Sequence, residues 1–506
     1  MNHKGLSARS VVVAGGGLAG SEAAWQLAER GVAVTLYEMR PSLPTPAHKT
    51  GRLAELVCSN SLKSNVPGAA SWLLKEELRR AGSLLMRVAG EWAVPGGSAL
   101  AVDRQGFAEG ITAALSGHPF ITLRREELRD IPGSGLTLIA TGPLTSDALA
   151  ARLQSLTGSP NLAFYDAISP VVDAETLNME CIFRASRYGK GGEDYLNCPF
   201  SEAEYRAFYD ALRTAEPVVT HQFEDVKFFE ACLPIEELAR RGYDTLRFGP
   251  MKPVGLIDPR TGRQPFAVVQ LRAENLRFSS YNLVGFQNHL RFSEQKRIMR
   301  LIPGLENAEF LRLGQIHRNT YINAPKILAP DLSLRAAPQV FVAGQLSGVE
   351  GYVECIATGL AAGLALAARA WCGEIGDSVL PSAETGATRE RDVEMEAGVG
   401  AGPPLPEPPR PMGTAAVRPY VPPPRTTALG SLINYITHAS SANYQPANIS
   451  FDLLPPMDGL PRAIARDRRA RREKQCERAL EDLARWLGTT VPAASAAGLP
   501  VPATTA

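Results

Sequence analysis

The stretch that decides the fold is "SVVVAGGGLAGSEAAWQLAERGVAVTLYE", residues 10–38. A β-branched run ends in glycines, a helix-forming segment follows and stops at Gly31, and a second apolar run closes on Glu38. This order predicts a strand–turn–helix–strand unit, with "SEAAWQLAERG" as an amphipathic helix. Gly15-x-Gly17-x-x-Gly20 lies at the strand-to-helix turn, and Glu38 stands 18 residues beyond Gly20. Gly15 permits the tight turn, Gly17 lets backbone approach a pyrophosphate, and Gly20 lets helix and strand pack closely. The start of the helix, from Gly16 through Leu18 and Ala19, then presents backbone N–H groups to an anion. Glu38 is placed to accept hydrogen bonds from an adenosine ribose.

Working outward, "LTLIATG" (136–142) is expected as another buried strand, and "WLLKEELRRAGSLLMRVA" (72–89) as a helix. Residues 339–368 return to strand, glycine turn and helix, with Gly359 and Gly363 permitting close packing on a sheet. A glycine motif near the N-terminus and a second nucleotide-type segment, "VFVAGQLSG", far downstream indicate a discontinuous plan. That plan suggests an α/β flavoprotein with a Rossmann-type FAD-binding domain of the glutathione-reductase type and an inserted α/β domain. Gly344, Glu350 and Gly351 are then candidates for the flavin end. No second G-x-G-x-x-G marks a separate NAD(P)H domain, so any nicotinamide would visit transiently. The expected division is 1–165 and 326–380 for the FAD-binding domain, 166–325 for the insertion, 381–425 as a Pro-rich disordered stretch, 426–486 as a C-terminal part with a basic helix, and 487–506 as a tail.

The chain has 506 residues and a net charge of +1, so RNA or membrane affinity cannot come from bulk charge. Its cysteines, at 58, 181, 198, 232, 355, 372 and 476, are odd in number and follow no disulfide framework or zinc spacing. Free thiols, a cytoplasmic setting, no metal and no membrane span are the expectation. Cys58, in "AELVCSNSLKSN" (53–64), sits in a polar loop where a packed structural cysteine is unexpected. It lacks the local partner that dithiol exchange requires. Cys232 precedes Pro234, which is suited to open a helix. A thiol near a helix N-terminus is favoured as thiolate.

Long motifs then carry a resemblance. "GGGLAGSEAAWQLA", "LVCSNSLKS", "YGKGGEDYLNCPF", "FFEACLPIEELARRGYDTLRFGPMKPVGLIDPRTG", "FAVVQLRAEN", "EQKRIMRLIPGLENAEFLRLG", "HRNTYIN", "AGQLSGVEGYVECIATG" and "YQPANISFDLLPP" closely resemble the TrmFO family. These are the folate- and FAD-dependent tRNA uracil-5-methyltransferases. The resemblance spans about residues 10–370 and 426–485, with departures such as Ala231 in place of Gly and Asn288 in place of Thr. It implies FAD as cofactor, with 5,10-methylenetetrahydrofolate and NAD(P)H as co-substrates and a T-loop uridine of tRNA as target. The two functional cysteines of the family fall on Cys58 and Cys232.

Chemically, a thiolate added to uracil C6 turns C5 into a nucleophile, a methylene needs two further electrons to become a methyl, and the C5 proton needs a base. Cys232 is assigned to C6 and Cys58 to the flavin side, although either thiol is chemically able to attack. Lys252 is a candidate for a phosphate or the folate glutamate. His317, with Arg318 and Asn319, is a candidate for the pteridine. The basic run at 462–478, including Arg468, Arg469, Arg471 and Arg472, is the expected RNA contact. Competing readings are a related flavin enzyme acting on a wobble or ribosomal uridine, and a non-catalytic FAD-containing RNA-binding protein.

Overall fold

The structure is a computed structural model that describes residues 10–159, 162–189, 192–218, 233–372 and 420–490, with backbone alone at 162–167, 316–319, 443 and 490. The Pro-rich stretch up to 419, the tail from 491 and Cys232 lie outside the described residues.

Strand β1 (Ser10–Ala14), helix α1 (Leu18–Ala28) and strand β2 (Ala33–Tyr37) form the expected βαβ unit. They sit inside a six-stranded sheet whose order is Ser333–Leu334, Ala337–Val342, Leu136–Ile139, β1, β2, Ile121–Arg124. All neighbours run parallel except the edge pair Ser333–Leu334 and Ala337–Val342. Such a sheet is covered on both faces, and its central strand Leu136–Ile139 is buried at every position, whereas the edge strand Ile121–Arg124 is buried only at Ile121.

The amphipathic reading of α1 is corrected. Every residue from Ala19 to Ala28 is buried, Ser21, Glu22 and Gln26 included. On one side lies the long helix Tyr352–Cys372. A Cβ on its Gly359 would fall on the carbonyl oxygen of Ala19, and one on Gly363 would lie 3.0 Å from the Cα of Ala23. That helix is long and apolar enough to cross a membrane by composition, yet most of it is buried inside this fold.

The polar residues of α1 are buried with partners: Ser21 donates to Gly16 O, Gln26 donates to Glu22 and to Gly82 O, and Glu22 serves another helix. The segment expected as one helix over 72–89 is two, α2 (Ala70–Arg80) and α3 (Leu84–Glu91). Gly82 breaks them at φ +78°, and Ser83 caps α3 by accepting from Met86 N at 3.2 Å. Glu22 Oε2 accepts from Ser83 Oγ at 2.8 Å and Leu85 N at 3.2 Å, so a buried carboxylate serves the N-terminus of α3. Burial nevertheless raises its pKa above the ordinary carboxylate value.

A second six-stranded sheet, antiparallel throughout, has the order Phe183–Arg184, Tyr195–Phe200, Ala267–Ala273, Ser280–Leu283, Val171–Asp173, Phe310–Arg312. Its core draws on residues between Val172 and Ala308, centred on Tyr205, Phe208 and Phe286. The other large core joins residues 11–153, 321–370 and 428–486. The C-terminal segment is therefore part of the first core. Helix Ala428–His438 is fixed by Glu77 of α2, whose oxygens accept from Ala428 N at 2.7 Å and Leu429 N at 2.8 Å.

Candidate functional site

The turn after β1 packs so tightly that side chains are excluded at two of its three motif glycines. Gly15 has φ +100°, and a Cβ there would lie 2.5 Å from Ala140 O. A Cβ on Gly20 would fall on Gly15 O. Gly17 differs, because nothing lies within 4 Å of its Cβ position. Its open side faces a cavity of about 420 Å³, a size in the range of cofactor pockets. Gly15, Gly17, Leu18, Ala19 and Glu38 line that cavity, and Gly16 and Gly20 do not.

Glu38 is engaged more fully than a simple ribose acceptor. Its Oε1 accepts from Arg40 N at 3.0 Å and Arg40 Nε at 2.9 Å, and its Oε2 accepts from Gly16 N at 3.1 Å and Arg40 Nη2 at 3.0 Å. A carboxylate offers about four lone-pair sites, so a ribose hydroxyl would have to replace one of these donors. Burial alone would raise the Glu38 pKa, but the hydrogen bonds and charge of Arg40 outweigh it and hold the carboxyl below its usual value.

The same cavity is lined by Cys58, Lys63, Gly344, Glu350, Gly351, Tyr352 and Asn448, and a Cβ on Gly344 would lie 3.0 Å from Ala19 Cβ of the glycine turn. Gly344 and Gly351 have φ of +75° and +106°, and Gln345 Nε2 donates to Glu350 Oε2 at 2.8 Å. The half-buried Cys58 is held through its backbone. Tyr352 Oη accepts from Cys58 N at 2.7 Å and Ser59 N at 3.0 Å. Arg104 Nη1 donates to Leu56 O at 2.8 Å and Arg312 Nη1 to Val57 O at 2.9 Å.

Arg104 also pairs with Glu274 through both Nε and Nη2. Burial pulls the Arg104 pKa down, and the Glu274 carboxylate more than reverses it. Burial, with Arg104 beside it, lowers Arg312 to about 10. Burial next to the Cys58 thiol pushes the Tyr352 hydroxyl up. Two guanidiniums and a neutral phenol thus fix the backbone of the loop whose thiol lines the cavity.

Beyond Cys58 the chain enters β3 (Ser61–Ser64). Lys63 has φ +62°, a conformation that costs a non-glycine residue on the order of 1–3 kcal/mol. Buried Lys75 supports it by donating from Nζ to the carbonyls of Leu62, Lys63 and Ser64 at 2.7, 3.3 and 2.7 Å. Burial lowers Lys75 to about 7.

The remaining predicted positions are dispersed. Lys252 is exposed and does not line the cavity. His317, Arg318 and Asn319 lie on strand Ile316–Tyr321, paired antiparallel with Leu162–Ala167, and the description there covers backbone only. The basic run is not one helix. Asp467 separates Arg462–Arg466 from Arg468–Thr490 and caps the latter by accepting from Arg469 N at 2.8 Å. Arg468, Arg469 and Arg471 are exposed, whereas half-buried Arg472 stacks its guanidinium 5.1 Å from the centre of the Phe451 ring. Asn288 is buried and donates to Phe286 O at 3.1 Å, a local packing role. Among the described residues, no group of three or more His, Cys, Asp or Glu is placed to hold a metal ion.

Sequence reasoning missed Arg104, Arg312, Lys75 and Asn448. Their partners are tens to hundreds of positions away, so no local pattern marks them. Arg40 alone had a usable signal, being two residues from Glu38.

A parallel sheet with a glycine turn at the strand ends, facing a cavity of cofactor-pocket size that a thiol also lines, defines a Rossmann-type nucleotide-cofactor protein. The family model described as glucose inhibited division protein A matches residues 10–372. A methylenetetrahydrofolate–tRNA-(uracil-5-)-methyltransferase TrmFO of Solibacter usitatus is 55% identical over 480 residues, covering 94% of this chain and 98% of the relative. Its namesake from Koribacter versatilis is 52% identical over 479 residues, with the same coverage of 94% and 98%. The chain belongs to the TrmFO family, within the glucose inhibited division protein A group. Among solved structures, Aquifex aeolicus GidA in its form II crystal shares the fold, with a TM-score of 0.62 at 16% identity over 94% of this chain and 73% of that one.

Proposed function

We propose that this protein is the methyltransferase its relatives are named for, transferring a one-carbon unit from 5,10-methylenetetrahydrofolate to C5 of a uracil in tRNA, with FAD as cofactor. The finer reading takes the T-loop uridine as target, NAD(P)H as reductant and the cytoplasm as setting. The observation that carries it is Cys58 on the wall of the cavity opened by the Gly15–Gly20 turn. Family membership supplies the rest.

The residues present fit FAD. Gly17 leaves open space where a pyrophosphate needs backbone contact, and Gly344 and Gly351, both at positive φ, line the same cavity. Bound FAD, once reduced, supplies the two electrons that carry a methylene to the methyl level. The protein side of the reaction then falls to thiols. In this reading Cys232 adds through sulfur to uracil C6 and makes C5 nucleophilic. Cys58, fixed by Tyr352, Arg104 and Arg312, works on the cofactor side and exchanges a proton there. Arg468, Arg469 and Arg471 offer phosphate contacts; the Arg469–Glu473 pair at 3.0 Å is exposed and weak enough to yield to a phosphate.

The test is incubation of T-loop RNA with labelled methylenetetrahydrofolate, with and without NAD(P)H. Label in 5-methyluridine that depends on both folate and reductant is expected, and unlabelled RNA would remove the proposal. Cys232→Ala is expected to abolish the covalent adduct with RNA containing 5-fluorouracil. An adduct that persists would move the C6 role to another thiol.

A further inference from the structure

Lys63 is a cation that lines the cavity along with Cys58, and two distant segments converge on its side chain. Its Nζ donates to Glu354 Oε1 at 2.7 Å and to Asn448 Oδ1 at 2.5 Å. An ammonium carries three N–H groups, so a third remains on a side chain that lines the cavity and is one-third exposed. Glu354 does not line the cavity. Its side chain is fully buried, and Oε1 also accepts from Ile449 N at 3.0 Å. The pair is thus a fixed dipole with its positive end on the cavity wall, the kind of pre-set electrostatics that acts without reorganising.

Two features show that the surrounding chain accommodates this arrangement. A Cβ on Gly351 would lie 2.5 Å from Lys63 Nζ and 2.6 Å from Glu354 Oε2, so glycine there leaves the pair its room. Lys75 meanwhile holds the carbonyls of residues 62–64, which keeps Lys63 at φ +62°.

The glycine turn and Glu38 line the same cavity. A dinucleotide seated there by its pyrophosphate extends its other half toward Cys58 and Lys63. Resting on the FAD reading above, we propose that Lys63, held by Glu354 and Asn448, is a positioning cation that stabilises negative charge on the flavin ring. Two electrons and one proton added to the ring leave it with one negative charge, and the second proton stays in solvent. Sulfite added to the oxidised ring through its sulfur lone pair also leaves negative charge on the ring, so it probes the same field without turnover.

The experiment uses the full chain reconstituted with FAD. Lys63→Asn removes the charge with a residue that tolerates positive φ. It is expected to weaken sulfite binding about tenfold and to lower the two-electron midpoint potential by about 30 mV, the equivalent of tenfold for a two-electron couple. Lys63→Arg is expected to restore both readouts to within about twofold of the unsubstituted protein. Asn448→Ala, which keeps the ammonium but releases it, should give a shift in the same direction of about threefold, and it serves as the test if Lys63→Asn does not fold. A yellow Lys63→Asn protein with sulfite affinity and potential unchanged would overturn the role of Lys63, as would an unchanged Asn448→Ala. A merely structural lysine would lower the melting temperature and leave both readouts in place. An unsubstituted chain that stays colourless after reconstitution would overturn the FAD reading itself, a separate failure.

Discussion

On its nucleotide side the cavity is lined from one short turn, by Gly15, Gly17, Leu18 and Ala19, with Glu38 and Arg40 about twenty residues on. On its thiol side it is assembled from residues 58–63, 344–352 and 448, braced from behind by Arg104, Arg312, Lys75 and Glu354. The first side needs close backbone approach, which local glycines provide. The second needs charges and a thiol held in place, which takes buried side chains from many elements. The two sides should therefore fail differently when altered.

The largest effect is expected on the nucleotide side. Alanine at Gly20 sets a methyl on Gly15 O, backbone against backbone with nothing flexible to yield. Gly20→Ala should cost at least about 4 kcal/mol by denaturant unfolding. Gly17→Ala meets nothing within 4 Å. It should leave stability within about 1 kcal/mol while weakening FAD retention roughly tenfold or more, because the methyl stands where pyrophosphate needs backbone. Equal destabilisation by both substitutions would erase the distinction between a packing glycine and a ligand glycine.

On the thiol side the corresponding lesion is electrostatic. Arg104→Leu leaves Glu274 buried without its cation and frees the carbonyl of Leu56. A loss of about 3 kcal/mol is expected, with FAD still bound but the Cys58 thiol less reactive toward alkylating agents. Unchanged alkylation kinetics would show that the Cys58 loop does not depend on Arg104. Tyr352→Phe is milder. It strands the N–H groups of Cys58 and Ser59 and should cost about 2 kcal/mol, again seen in unfolding together with Cys58 alkylation.

The same contrast explains what the sequence made legible. The βαβ unit, the glycine turn, Glu38 and the return of strand, turn and helix near 339–368 follow from period and spacing, because each is decided within a few tens of residues. Cys58 was legible as an anomaly, a thiol in a polar loop, but its supports were not. Nothing in "LKSN" says that Lys63 meets Asn448, and nothing in α1 says that Glu22 is buried to serve α3. The misreadings share one cause. By local pattern α1 reads as amphipathic and residues 72–89 and 462–478 read as continuous helices, whereas Glu22 answers a tertiary partner, and Gly82 and Asp467 act as breaks.

The smallest effect at pH 5 is expected at Glu77, which does not line the cavity. This carboxyl accepts from the first two N–H groups of helix Ala428–His438, and that helix leads into the segment that brings Asn448 to Lys63. Burial raises its pKa to about 8, against 4.5 for the free side chain, although the two N–H groups pull the other way. Between those values the folded protein keeps a proton that the unfolded chain has lost. Stability from this group is therefore greatest below about pH 4.5 and declines as pH rises toward 8, with a limiting slope of about 1.4 kcal/mol per pH unit. Glu77→Gln replaces the protonated acid with a group of the same shape. It should shift stability by less than about 1 kcal/mol at pH 5 and flatten the decline between pH 5 and 8 in thermal unfolding. A variant whose melting temperature tracks the unsubstituted protein across that range would mean that Glu77 is ionised in the fold, so that its charge on the helix N-terminus outweighs the cost of its burial.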